Sequence, residues 1–149
     1  MPAKKTTKST SGFTAEEKAA MKERARELKA QEKYGNDKAK SEKDMLAAIA
    51  KLAPKDRAMA TRLHEIVMRA APDLLPKTWY GMPGYATKEG KNIFFFQPAD
   101  KFGTRYATLG FSDLAKLDDG NMWANAFALL KITPAEEAKI IKLIKKALS

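Results

Sequence analysis

The sequence predicts an α+β fold in two layers, with helices backing an antiparallel sheet and an N-terminal helical extension in front. Three observations predict it. Helical periodicity runs through the first half of the chain; from Thr78 onward aromatic and β-branched residues alternate with glycines; and a last amphipathic helix closes the chain. Helices first, strands grouped afterwards and a closing helix point to a sheet made of hairpins rather than of parallel crossovers. A chain of 149 residues suits one ordinary domain, and a domain of that size removes roughly two thirds of its unfolded surface from water.

Residues 1–13 are mostly Lys, Thr and Ser with almost nothing to bury, and are expected to be a disordered basic tail. Residues 14–40 read as a charged helix and linker. Thr14-Ala15-Glu16-Glu17 is a capping box, in which hydroxyl and carboxylate each satisfy a free amide at the helix start. The strong helix formers that follow, to about Glu32, carry a thin apolar stripe of Met21, Ala25 and Leu28. With so little to bury, this helix is expected to project or to pack loosely. Gly35-Asn36-Asp37 breaks it.

The main domain is placed at 41–149. Ser41 is read as the N-cap of a second helix to Leu52, with Asp44 in its first turn. Pro54 suits the first position of a third helix, which runs to about Ala70 and buries Met59, Leu63, Ile66, Val67 and Ala70 before Pro72 ends it. Tyr85-Ala86-Thr87 and Ile93-Phe94-Phe95-Phe96 flank Lys88–Asn92 as a hairpin. The three phenylalanines do not alternate with polar residues, so their strand is expected to be central and covered on both faces. Arg105–Phe111 reads as a further strand, with Ala107, Leu109 and Phe111 on one face. Ser112-Asp113 is read as the cap of a short helix that ends at the Asp118-Asp119-Gly120 turn, and Phe127–Ile132 as the last strand. Thr133-Pro134-Ala135-Glu136 is a second capping box. It opens a helix with Ile140, Ile144 and Leu148 inside and Lys142, Lys145 and Lys146 at its negative end.

Composition narrows the function classes. There is no cysteine, so neither disulfides nor thiolate chemistry contribute, and a reducing, cytoplasmic setting is expected. No apolar run approaches the roughly 20 residues of a membrane-spanning helix, so no membrane partner is expected. The net charge of +10 divides evenly: residues 1–40 hold 11 Lys/Arg against 6 Asp/Glu, leaving 17 against 12 for residues 41–149. Both parts therefore attract anions, and the first is the more densely charged.

Familiar catalytic motifs fail on spacing. His64, the only histidine, is followed by Glu65, but Met68 stands where a second zinc-binding imidazole belongs. His64 lies at the edge of its helix's apolar stripe, as a half-buried or pocket-rim residue. Asp118-Asp119-Gly120-Asn121 lacks the alternating oxygens and closing glutamate of a calcium loop. Gly84 to Lys91 has the wrong spacing for a phosphate loop, and Asn92 replaces its hydroxyl residue. Gly110-Phe111-Ser112 lacks the second glycine of a nucleophile elbow. The remaining cluster is Trp79-Tyr80-Gly81-Met82-Pro83-Gly84-Tyr85. Pro83 stiffens this aromatic segment while its glycines permit sharp turns, so it is suited to line a pocket with Lys101 or Arg105 as anion partner.

The same segment, with Ile93-Phe94-Phe95-Phe96, Lys101-Phe102, Arg105–Phe111, Leu117–Gly120 and Met122-Trp123, resembles the YdhG-like family of small bacterial proteins of unknown function, over roughly residues 42–148. The resemblance implies a curved antiparallel sheet backed by helices. One branch of that family is described as a frataxin-like iron chaperone; on that analogy the carboxylates would be Asp113, Asp118 and Asp119, in a chain that is otherwise basic.

Three functions follow as expectations. The first is a non-enzymatic domain for a small or anionic ligand, with His64, Trp79, Tyr80, Met82, Pro83, Tyr85, Lys101 and Arg105 as candidate binding residues. The second is a nucleic-acid accessory protein in which residues 1–40 make nonspecific, salt-sensitive contacts. The third is the iron chaperone, on family analogy alone. An enzyme ranks last, because no acid–base pair sits at diagnostic spacing.

Overall fold

The computed structural model of the chain describes residues 12–149, with backbone alone for residues 31–34. The expectation for the basic tail falls, as far as residue 11, outside the described residues. Among the described residues three helices come first: α1 (Ala15–Tyr34), α2 (Lys38–Ala50) and α3 (Pro54–Ala70). Five strands follow: β1 (Leu75–Trp79), β2 (Met82–Ala86), β3 (Asn92–Gln97), β4 (Ala107–Phe111) and β5 (Ala126–Leu129). A single-turn helix, α4 (Ala99–Phe102), lies between β3 and β4, and α5 (Pro134–Leu148) closes the chain. The strands pair antiparallel in chain order, β1-β2-β3-β4-β5, as an open meander. The fold is α+β.

Both capping boxes form. The Glu17 amide donates to Thr14 Oγ1 at 3.0 Å while the Thr14 amide donates to a Glu17 carboxylate oxygen at 2.9 Å, and Thr133 and Glu136 repeat the exchange at the start of α5. The second helix begins earlier than Ser41. Asp37 is its cap, accepting from the Lys40 amide at 3.1 Å, because Lys38, Ala39 and Lys40 are themselves good helix formers and Asp37 is the first side chain able to cap them.

Strand β1 is not foreseen by the residue pattern, which starts the sheet later. Pro76 hides it, since proline donates nothing to a ladder; a proline is tolerated here because β1 is an edge strand. The helix expected after Ser112-Asp113 does not form. Ser112 Oγ donates to the Asn92 carbonyl at 2.8 Å and accepts from the Leu114 amide at 3.2 Å, so its hydroxyl pins a turn to β3. Strand β5 ends at Leu129 instead of Ile132, where the chain bends toward the Thr133 cap.

The core lies between one face of the sheet and helices α2, α3 and α5. Tyr85, Phe94, Phe96 and Leu109 meet Met45, Leu63, Val67, Ile140 and Ile144 there. In α5 the third buried position is Ala147 and not Leu148, which is 40% exposed. Glu137 on α5 ties the two helices together by accepting from Arg69 at 2.6 Å and from Arg62. Strand β3 is central, as the triple phenylalanine predicts, but its two faces differ. Phe94 and Phe96 are fully buried against the helices, while Phe95 faces the other way. Its ring packs against Trp79, tilted by 37° at 4.8 Å between centroids, and lies across Gly110, where a Cβ would stand 2.4 Å from it.

Candidate functional site

The aromatic Gly-Met-Pro segment is a β-hairpin. Trp79 pairs with Met82 across the two-residue loop Tyr80-Gly81, and both loop residues have positive φ, 52° and 78°. That is the signature of a type I′ turn, whose twist suits a hairpin and which favours glycine at its second position. Packing around the turn is as specific as its backbone. Glu27 of α1 accepts from the Tyr80 amide at 2.8 Å and from the Gly81 amide at 2.7 Å, one carboxylate oxygen each. Lys101 donates to the Gly81 carbonyl at 3.1 Å, and the Arg24 guanidinium sits 5.2 Å from the Tyr80 ring centroid.

Helix α1 therefore docks through a charged face. Glu27 is 8% exposed, whereas Met21 and Leu28 of the expected apolar stripe are each 47% exposed, and Ala25 is exposed as well. A carboxylate between two turn amides holds the helix better than a thin run of small apolar side chains, since a hydrogen bond to a charged group contributes roughly 1.5–3 kcal/mol. Burial pushes the Glu27 carboxyl above its usual range, against the pull of the two amides and of Arg24.

His64 and Tyr85 meet inside the core. The ring Nδ1 lies 2.9 Å from the Tyr85 hydroxyl and Nε2 lies 2.6 Å from a Glu42 carboxylate oxygen. Burial, with the Glu42 charge nearby, drives the Tyr85 phenol well above its ordinary pKa, so it stays an O–H donor. Both ring nitrogens are thus engaged, one by the Tyr85 hydroxyl and the other by the Glu42 carboxylate, which fixes the orientation of the imidazole. Tyr85 is 0% exposed, so the chain Glu42–His64–Tyr85 joins α2, α3 and β2 with no route for a substrate to the phenol. Asp56, 3% exposed, likewise serves the fold. It accepts from the Ala99 and Asp100 amides at 3.2 and 2.9 Å, capping α4 from α3.

A different region carries cations outside any close ion pair. Between β5 and α5 runs a groove with a cavity volume of about 920 Å³. Phe127, Leu129, Ile140 and Leu143 supply apolar walls, and Arg105, Lys131, Lys139, Lys142 and Lys146 stand around them. Glu136 is the one acid in the lining, and Thr133 already engages it through amide and hydroxyl, which holds its carboxylate below the usual pKa. Among the described residues, none of those five cations makes an ion pair with a carboxylate. Arg105 instead lies 5.2 Å from the Tyr106 ring centroid, which presents its guanidinium along the same wall.

The structure thus separates the candidate residues. His64 and Tyr85 are joined in the core; Trp79 packs against Phe95 at the opposite face; Tyr80 forms the hairpin tip. Met82 and Pro83 are buried in β2, and Lys101 braces Gly81. Only Arg105 lines the β5–α5 groove. Asp113, Asp118 and Asp119 are exposed on the loop between β4 and β5, and among the described residues no three His, Asp or Glu side chains gather to hold a metal ion. No helix among those residues is long and apolar enough to cross a membrane. Sequence reasoning passed over Glu27, Glu42 and Asp56, whose roles depend on distant partners. It noted Lys142 and Lys146 only as helix-end charges; the available signal was lysines at 139, 142 and 146 beside Ile140 and Leu143, a cationic border along an apolar seam. The chain matches no protein-family profile, no curated protein and no solved structure.

Proposed function

We propose that this protein is a non-enzymatic binding domain, and that the groove between β5 and α5 takes an anionic ligand with an apolar body. The observation that carries this reading is a set of five cations around apolar walls, none of them within ion-pair distance of a carboxylate among the described residues. Pockets of this kind bury the apolar part of a ligand and orient it with a few charges. A groove of about 920 Å³ is at the upper end for small-molecule sites, which run from roughly 300 to 1,000 Å³. The reading keeps the YdhG-like kinship and a cytoplasmic setting as part of the proposal; the first rests on the Trp79–Tyr85 segment and the second on the absence of cysteine.

An anilinonaphthalene sulfonate, an apolar fluorophore with one negative charge, tests it. Its emission should rise and shift to the blue on binding, weaken with added salt, and be largely lost in the double variant Lys139→Glu, Lys142→Glu. Equal binding by that variant and the wild-type protein would overturn the assignment of the groove.

A further inference from the structure

Among the described residues strand β5 is one edge of the sheet and pairs only with β4. The Phe111 amide donates to the Asn125 carbonyl at 2.8 Å just beyond the strand, and the register then pairs Phe127 with Leu109 and Leu129 with Ala107. Hydrogen-bonded pairs alternate in an antiparallel ladder, so the N–H and C=O groups of Ala126 and Ala128 point away from β4. Both residues are exposed, and Ala128 borders the groove. The chain on either side is equally open: Met122 is 89% exposed, Trp123 41% and Leu130 56%. An unprotected edge of this kind is a template for another strand.

We infer that the occupant of the groove is an extended acidic peptide segment of another protein, which adds to β5 as a sixth strand. This inference rests on the binding reading above and gives it a ligand class. Main-chain hydrogen bonds to Ala126 and Ala128 would set the register, alternate apolar side chains would enter between β5 and α5, and carboxylates would face the lysines. Charge decides among occupants. A second copy pairing β5 to β5 would bring both sets of Lys131 and α5 lysines together, which is repulsive. The chain's own residues 1–11 carry Lys4, Lys5 and Lys8 and no acid, so they too are repelled. An acidic strand is attracted, and is steered to the groove from beyond contact range.

The test uses the full-length protein and a short synthetic peptide in which valines alternate with glutamates. Binding is followed by amide hydrogen exchange and by fluorescence anisotropy. The expected result is new protection of the Ala128 amide and affinity about tenfold weaker, some 1.4 kcal/mol, for the same peptide N-methylated at alternate residues. Ala128→Pro removes one outward donor at an edge, where proline is tolerated; it should lose the peptide yet still bind the naphthalene sulfonate. If the fluorophore binds and the peptide does not, or if the N-methylated peptide binds equally well, strand addition is wrong while the anion-binding groove stands. If neither binds, both readings fall. Binding of a short DNA duplex to the same lysines as tightly as the peptide would also overturn the peptide assignment.

Discussion

The two edges of the sheet are treated in opposite ways. At the β1 edge, α1 and α2 pack along the strand, Glu27 takes both amides of the hairpin loop, and Lys101 takes its carbonyl. Lys77 is partly buried there, and desolvation beside Arg24 lowers its pKa. At the β5 edge Ala126 and Ala128 are exposed, and the lysines of α5 and the Arg105 side chain border an open groove. Charge is abundant at both edges. At the first it is consumed by the fold; at the second it is left for something else. The conspicuous residues of the sequence, Trp79 to Tyr85, stand at the edge where charge is taken up by the fold, and only Arg105 of the candidate residues stands at the other.

Changes at the closed edge should be felt in stability and those at the open edge in binding. Glu27→Ala should have the largest effect: it leaves two turn amides without their acceptor, at about 2 kcal/mol in a denaturant titration, and should expose α1 to trypsin. Unchanged stability would mean that α1 is not held by this carboxylate. Next, Gly81→Ala should cost about 1–2 kcal/mol, because its φ of 78° strains any L side chain. The new methyl would also press on Lys101 Nζ, 2.6 Å from the Cβ position. Naphthalene sulfonate binding should be untouched by both changes.

Tyr85→Phe should cost about 1 kcal/mol by removing the donor to His64 while keeping the apolar ring. A smaller effect is expected with pH. Because burial raises the Glu27 pKa, folding favours its protonated form. The increment of stability that comes from the raised pKa is complete below the carboxyl's unfolded pKa and is lost as pH rises through the raised folded value, while the amide hydrogen bonds to the carboxylate remain. Stability measured across that interval should fall with pH in the wild type and flatten in Glu27→Gln. Last, Lys142→Glu should alter stability by no more than about 0.5 kcal/mol, as surface changes usually do, yet weaken anion binding clearly. A Lys142→Glu variant that unfolds more easily but binds as before would reverse the contrast between the edges.

Much of the fold was legible locally. Thr14 and Glu17, and Thr133 and Glu136, cap their helices as their spacing predicts. The stripe of α3 is buried at Met59, Leu63, Ile66 and Val67, and the Phe94–Phe96 run is central. Errors arose where a local rule met a distant partner. Ser112 looked like a helix cap until its hydroxyl was needed by the Asn92 carbonyl. The thin stripe of Met21 and Leu28 suggested a helix that projects or packs loosely; those residues are exposed, and Glu27 holds α1 to the hairpin loop instead.

By itself the sequence determined the α+β class, the starts of α1, α3 and α5, the α3 face and the β2–β3 hairpin, because periodicity, caps and turn residues act within a few positions. Only the tertiary structure decided which edge is closed and which charges remain free. Glu27 and Gly81 lie 54 residues apart in the chain, and the groove brings β5, α5 and Arg105 together. Whether a carboxylate or an ammonium is satisfied depends on what the folded chain places within hydrogen-bond reach, and no local pattern of residue types carries that information.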